Sequence, residues 1–336
     1  MIRFTAVIFA LVLMVVVSAA NTKIKFATLA PEGSTWMNIM DEFSNAVKDA
    51  TAGDVEFRIY PGGVAGDELN VLRKIRVGQL HSGGFTGVGL GEILPEVRIL
   101  DSPFLFRSKE EIDHISGQLF DYFAAKFEDK GFILLGWAEV GFVYTFTDKA
   151  INDISDMKGV KMWMWEGDPV AEATFKSFGI SPIPLSISDV LTSLQTKLID
   201  GIYVSPLACV ALQWHTKVNY MLDLPLANSN GAILLDIRQY NKLSPEHQTM
   251  LRELSLQYLS KLTRMSREDN EKSLKLIRET GIKFTEIADK KQIDAFYVSG
   301  RQARRSLVGK LYDEQLLNRV ENSLENFRQN KAAGGQ

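Results

Sequence analysis

The sequence predicts an α/β protein built as two lobes. Three observations point there. A strand–helix–strand–helix order occurs near the start and again after residue 160, without sequence repetition between the two blocks. Two long, largely apolar stretches, 131–147 and 220–237, lie where strands would cross from one block to the other. Finally, a helical pattern from Ser244 to about residue 280 would be on the order of 50 Å long, enough to brace both.

In chain order, Phe4 to Val17 is apolar apart from Thr5, preceded by Arg3 and followed by Ser18-Ala19-Ala20. Residues 1–20 therefore read as a secretory signal cleaved near Ala20, with an uncleaved anchor as the alternative. The run is short for a spanning helix, and no cysteine follows it for lipid attachment. Lys23 to Thr28 reads as a strand. Trp36, Ile39, Met40, Phe43 and Val47 then form a helical stripe capped by Ser34 or Thr35. Val55, Phe57 and Ile59 alternate with polar neighbours as in a half-buried strand, Pro61-Gly62-Gly63 turns the chain, and Asp67 opens a helix to Val77.

In the second block Val160 to Trp165 reads as a strand and Asp168-Pro169 starts a helix ended by Gly179. Ile180 to Leu185 is extended because two prolines exclude helix, and Ser188 caps a helix running towards Lys197. Ser244-Pro245-Glu246 opens the long helix and Gly281 closes it. Residues 292–330 look helical, and 331–336 form a tail. The division expected is 21–140 with 236–262 in one lobe and 141–235 with 263–330 in the other, the helix 244–280 spanning both.

Composition narrows the function. The 38 lysines and arginines, one of them Arg3 in the leader, stand against 41 acids, which gives no basic surface for nucleic acid. Cys209, the only cysteine, sits among apolar neighbours as a buried, inert thiol. The four histidines show no metal-ligand spacing, and no catalytic triad can be assembled. Gly87-Val88-Gly89-Leu90-Gly91 lacks both the lysine-serine and the helix of a phosphate loop. No cofactor and no enzymatic activity are expected. Arg301, Arg304 and Arg305 read as a solvated helix face.

Five segments in order carry a resemblance: Phe26 to Ser34, Tyr60 to Glu68, Leu100 to Arg107, Lys158-Gly159-Val160-Lys161, and Gln195-Thr196 with Ile199-Asp200-Gly201. Together they resemble solute receptors of the tripartite ATP-independent periplasmic (TRAP) transporters. The resemblance implies a two-lobed periplasmic binding protein fold with crossing strands and a spine helix. It also implies a small-molecule ligand in an interlobe cleft, and delivery to a permease driven by an ion gradient. Either a monomer or a dimer formed through the long helix fits.

Trp163 stands where the resemblance places an arginine that grips a ligand carboxylate. A second family arginine would fall near Val143, and Ile202-Tyr203-Val204-Ser205 replaces a polar run. Lys161, Trp163 and Trp165 share one strand face. By analogy Trp36, Phe85, Trp137, Phe142, Tyr144 and Tyr203 lie near it, and Glu139 is an acid inside an apolar stretch. These residues predict an apolar or aromatic ligand, with a cationic one also open through the indole faces. The alternatives are indoles that only fill the core, a carboxylate receptor using another cation such as Lys161, a ligand-sensing subunit of a signalling system, and an enzyme on this fold.

Overall fold

The computed structural model describes residues 22–334, so the leader and its cleavage site lie outside the described residues. Among the described residues there are twelve strands: β1 Thr22–Ala27, β2 Val55–Tyr60, β3 Ser82–Thr86, β4 Phe132–Trp137, β5 Gly141–Thr147 and β6 Trp163–Trp165. There follow β7 Ile183–Leu185, β8 Gly201–Val204, β9 Tyr220–Leu222, β10 Ala227–Ser229, β11 Gly231–Asp236 and β12 Lys283–Thr285. The first lobe holds the sheet β2-β1-β3-β11-β4, and the second the sheet β10-β5-β9-β12 with β8 also on β5. A small parallel pair, β6 with β7, lies beside β8 and is bridged to it between Met162 and Gly201.

Period-two alternation builds the first lobe. Ile133, Leu135, Ile233 and Leu235 face one apolar cluster with Met40 and Phe43 of the helix Thr35–Ala50. Their neighbours Phe132, Leu134, Ala232 and Leu234 face the other, with Phe123 and Phe127. The sheet is thus buried on both sides, which is why these strands read as continuous apolar runs.

Two strand connections cross between the lobes, from β4 to β5 and from β10 to β11. The crossings bond to each other: Ala138 N donates to the Gly231 carbonyl at 2.7 Å and Val140 N to the Ser229 carbonyl at 3.1 Å. Behind them runs the spine helix Pro245–Glu279, 35 residues or about 52 Å at 1.5 Å per residue. Ser244 caps it by accepting the His247 N–H. The helix packs on Thr35–Ala50 and β4 in the first lobe and on Pro206–Ala211 and β5 in the second.

Asn270 fixes the spine to the crossing. Its amide nitrogen donates to the Val140 carbonyl at 2.8 Å, and its oxygen accepts the Leu207 N–H at 3.0 Å. Gly141, at φ +117°, makes room: a Cβ there would lie 2.6 Å from the Asn270 amide nitrogen.

Several boundaries differ from the sequence reading. The register of β11 with β3 begins at Gly231↔Thr86, so residues 231–235 belong to the first lobe. The last helix, Glu314–Gly334, also packs there: Leu316, Leu317, Val320 and Leu324 join the Phe123 cluster, and Arg328 pairs with Glu111. It includes residues read as tail. Gly309, at φ +78°, lies between it and Lys290–Ser306, where one span was expected. Arg304 is buried rather than solvated, bonded to Glu321 and the Pro103 carbonyl. Ser188 caps nothing; it lies within a short 3-10 turn ahead of Val190–Gln195.

Asn270→Leu leaves the Val140 carbonyl and the Leu207 N–H without their partner, which costs about 2–4 kcal/mol of unfolding free energy. Urea titration measures it, and a loss below about 0.5 kcal/mol contradicts the role assigned to this side chain.

Candidate functional site

Between the lobes lies a cavity of about 150 Å³. One wall is aromatic. Parallel pairing of β6 with β7 sets Trp163 opposite Ile183 and Trp165 opposite Leu185, and the Trp163 indole N–H donates to the Leu185 carbonyl at 3.1 Å. With its polar edge satisfied, the ring stacks on Tyr203 at 5.1 Å and meets Trp214 edge-on at 5.2 Å. Trp165 stacks against the same ring at 6.4 Å. Phe175, Val143 and Leu226 extend the apolar lining.

The polar wall comes from residues far apart in sequence. Arg98, in the 3-10 segment Pro95–Asp101 of the first lobe, is only 4% exposed. Its Nε donates to Asp101 at 2.9 Å, and its Nη2 reaches Asp168 of the second lobe at 2.8 Å. Asp168 is the N-cap of the helix Pro169–Ser177, accepting from Val170 N and Ala171 N, and it also accepts the Tyr203 hydroxyl at 3.2 Å. Asp101 in turn accepts the peptide N–H of Asn230 in the crossing segment at 2.8 Å. One guanidinium therefore ties both lobes and a crossing together.

Three glycines allow that burial. The segment Gly87–Ile93 is helical, although the sequence offered no helix there. A Cβ on Gly87 would lie 1.8 Å from Asp101 Oδ2, and one on Gly91 would lie 2.8 Å from the Arg98 stem. One on Gly89 would lie 2.6 Å from Glu68 Oε2, and Glu68 caps the same turn by accepting from Thr86 N and Gly89 N at 2.7 Å each.

Burial sets the electrostatics. It pushes the Glu68 carboxyl up to about 7 and the Asp101 carboxyl up to about 6, against the pull of bonded N–H groups and of Arg98. Burial acts to lower the Arg98 pKa, yet Asp168 and Asp101 outweigh it and hold the guanidinium charged. The Tyr203 phenol is raised well above its usual value by burial and by Asp168.

Asn228, on β10, completes the lining. It is 1% exposed, and neither its amide nitrogen nor its amide oxygen has a hydrogen-bond partner. A buried amide left so is a place where a ligand group would remove a desolvation cost.

Of the residues singled out in the sequence, Trp163, Trp165 and Tyr203 meet at this cavity. Lys161 lies at the surface, its amine on the Lys197 carbonyl and 4.0 Å from Asp200. Phe85 is in the first-lobe core, and Trp36 stacks on Phe26. Phe142 and Tyr144, half-buried, pack against the two lobe cores. Trp137 and Glu139 line a different cavity behind the crossing, Glu139 bonded to Arg267 of the spine at 3.1 Å. Sequence reasoning missed Arg98, Asp101, Asn228 and Trp214, and read Asp168 only as a helix start. The every-second-residue glycines from Gly87 to Gly91 were the available signal, since they make room for bulky neighbours.

Among the described residues no acidic, histidine or cysteine cluster could hold a metal, and no helix is long and apolar enough to cross a membrane. Cys209 is buried, and burial raises its thiol pKa.

The two-lobed fold with a cavity at its crossing defines a solute receptor. Residues 26–307 match the family model for the bacterial extracellular solute-binding protein, family 7, and the chain belongs to that family. It is a TRAP-type periplasmic receptor rather than an enzyme. A solute-binding protein of Verminephrobacter eiseniae is 28% identical over 304 residues, covering 89% of this chain and 90% of its own. The 2,3-diketo-L-gulonate-binding periplasmic protein of Escherichia coli K12 is 27% identical over 80% of this chain and 81% of its own. Among solved structures, the sugar acid binding protein of Advenella mimigardefordensis in complex with galactonate superposes with a TM-score of 0.84. It is 19% identical, covering 91% of this chain and 99% of that one.

The raised Glu68 pKa gives stability a pH dependence of definite sign. Protonation favours the fold, so this contribution is complete below the free value of 4.5 and is lost as pH rises through about 7. Between pH 5 and 8 the wild type should lose about 2 kcal/mol more unfolding free energy than Glu68→Gln, which does not titrate. Chemical denaturation at the two pH values measures it; equal losses contradict the assignment.

Proposed function

We propose that this chain captures a small ligand with an apolar or aromatic body in the interlobe cavity and delivers it to a TRAP-type permease driven by an ion gradient. The observation that carries this reading is the state of Arg98. Trp163 stands where the family resemblance places the carboxylate-gripping arginine. Arg98, the buried cation in the lining, already pairs with Asp101 and Asp168. A ligand carboxylate brought into this lining would meet two acids for one guanidinium.

Trp163, Trp165 and Tyr203 supply flat apolar surface for the ligand body. Asn228 supplies its polar contact, an amide that both donates and accepts, which selects an uncharged group able to do the same. Solved relatives of this fold hold acids, among them galactonate and D-glucuronate. Closure brings Arg98 of one lobe to Asp168 of the other, and the ligand favours that state only through its stronger affinity for it. The permease recognises the closed surface, and the site of action is the periplasm, reached through the leader.

The test is native mass spectrometry of the mature chain purified from its own periplasm, followed by extraction of the bound molecule. A neutral aromatic or lipid-like molecule is expected, bound about tenfold more weakly by Trp163→Phe than by wild type. A sugar acid retained at this cavity overturns the reading.

A further inference from the structure

We propose that a second cavity, behind the crossing and separate from the interlobe cleft, is a binding site for a small molecule with a flat apolar body and an oxygen acceptor. It measures about 540 Å³ and lies between the spine helix and the first lobe, walled by β4 and the helix Lys109–Gln118. Its volume lies within the range of small-molecule pockets, roughly 300–1,000 Å³.

The lining is built for such an occupant. Trp137 turns its indole N–H away to the Ser116 carbonyl at 3.2 Å, and Phe120 meets it edge-on, leaving apolar ring surface in the wall. Gly136 lets the spine approach, since a Cβ there would lie 2.8 Å from Leu259. Arg267 holds Asp113 and Glu139, and Lys109 meets Glu271 at 2.5 Å, while Arg264 and Glu268, both exposed, also line the cavity. Asn230 differs from Arg264 and Glu268 in being buried. It is 2% exposed and lines this cavity, and its amide nitrogen has no hydrogen-bond partner. That donor lacks an acceptor, and a ligand oxygen would supply one.

The two cavities share this residue. The Asn230 peptide N–H holds Asp101 of the cleft while its side chain lines the cavity behind. The site itself does not rest on the reading of the cleft.

The probe is 8-anilinonaphthalene-1-sulfonate, an aromatic body with oxygen acceptors, titrated by fluorescence into the mature chain. Ser260→Trp fills the rear cavity from an exposed turn of the spine, and Ala208→Trp fills the cleft. Saturable binding is expected, weakened about tenfold by Ser260→Trp and at least about fivefold by Asn230→Ala, which keeps the peptide N–H. Ala208→Trp should leave it within about twofold. Three results overturn the proposal: Ser260→Trp binding like wild type, no saturable binding up to about 1 mM, or binding lost only in Ala208→Trp. The last would place the probe in the cleft, supporting an apolar cleft while rejecting the rear site.

Discussion

Arg98 lies between Asp101 and Asp168 almost wholly out of solvent, and the arrangement of the cleft depends on that position. A buried guanidinium is stable only when its partners are well placed, because desolvation of an unpaired charge costs several kcal/mol. Here one partner begins a helix of the second lobe and the other is anchored to the crossing segment through Asn230. The ion network therefore sets the distance between the lobes as well as the polarity of the wall. It requires a helix with no side chains at Gly87 and Gly91, which is why that segment is so rich in glycine.

With the cation engaged in holding the lobes, recognition in the proposed function falls to rings and to one amide. Trp163 is fixed by its bond to Leu185 and by contacts with Tyr203, Trp165 and Trp214, so its face is presented without freedom to rotate. Asn228 is the complement: a buried polar group with nothing to bond, in the lining of the same cavity. On the proposed reading, aromatic walls with an unpartnered amide would select by shape and hydrogen-bond pattern rather than by charge. Behind the same crossing, Asn270 and Arg267 tie the spine to the segment that joins the lobes.

Much of the architecture was legible in the sequence because it rests on local patterns. Alternation marked β2, Ser34 and Asp67 marked two helix starts, and Ser244-Pro245 with Gly281 bracketed the spine. The strand carrying Trp163 followed from the Lys158-Gly159 turn. What escaped was long-range. The pairing of Arg98 with Asp168 joins residues 70 positions apart, and neither stands in a pattern that names the other. Asn228 became informative only through the absence of a partner, which no sequence displays. Strand alternation put Lys161 on the Trp163 face, but at the strand's end its long stem turns out to Lys197 and solvent. The final helix carries an ordinary apolar stripe, and nothing in that stripe says which lobe it covers.

The central claim is that the cleft selects against negative charge, and one matched pair of molecules tests it most directly. Benzamide and benzoate share a ring suited to a cavity of about 150 Å³, the size at which an apolar protein cavity takes up benzene. They differ in that benzamide both donates and accepts where benzoate carries a charge. Calorimetric titration of the ligand-free chain should find benzamide bound about tenfold or more tightly than benzoate, the difference narrowing in Asn228→Ala but persisting because Asp101 and Asp168 remain. Tighter binding of benzoate would mean that Arg98 leaves its aspartates to meet a ligand acid, and selection against charge would be contradicted.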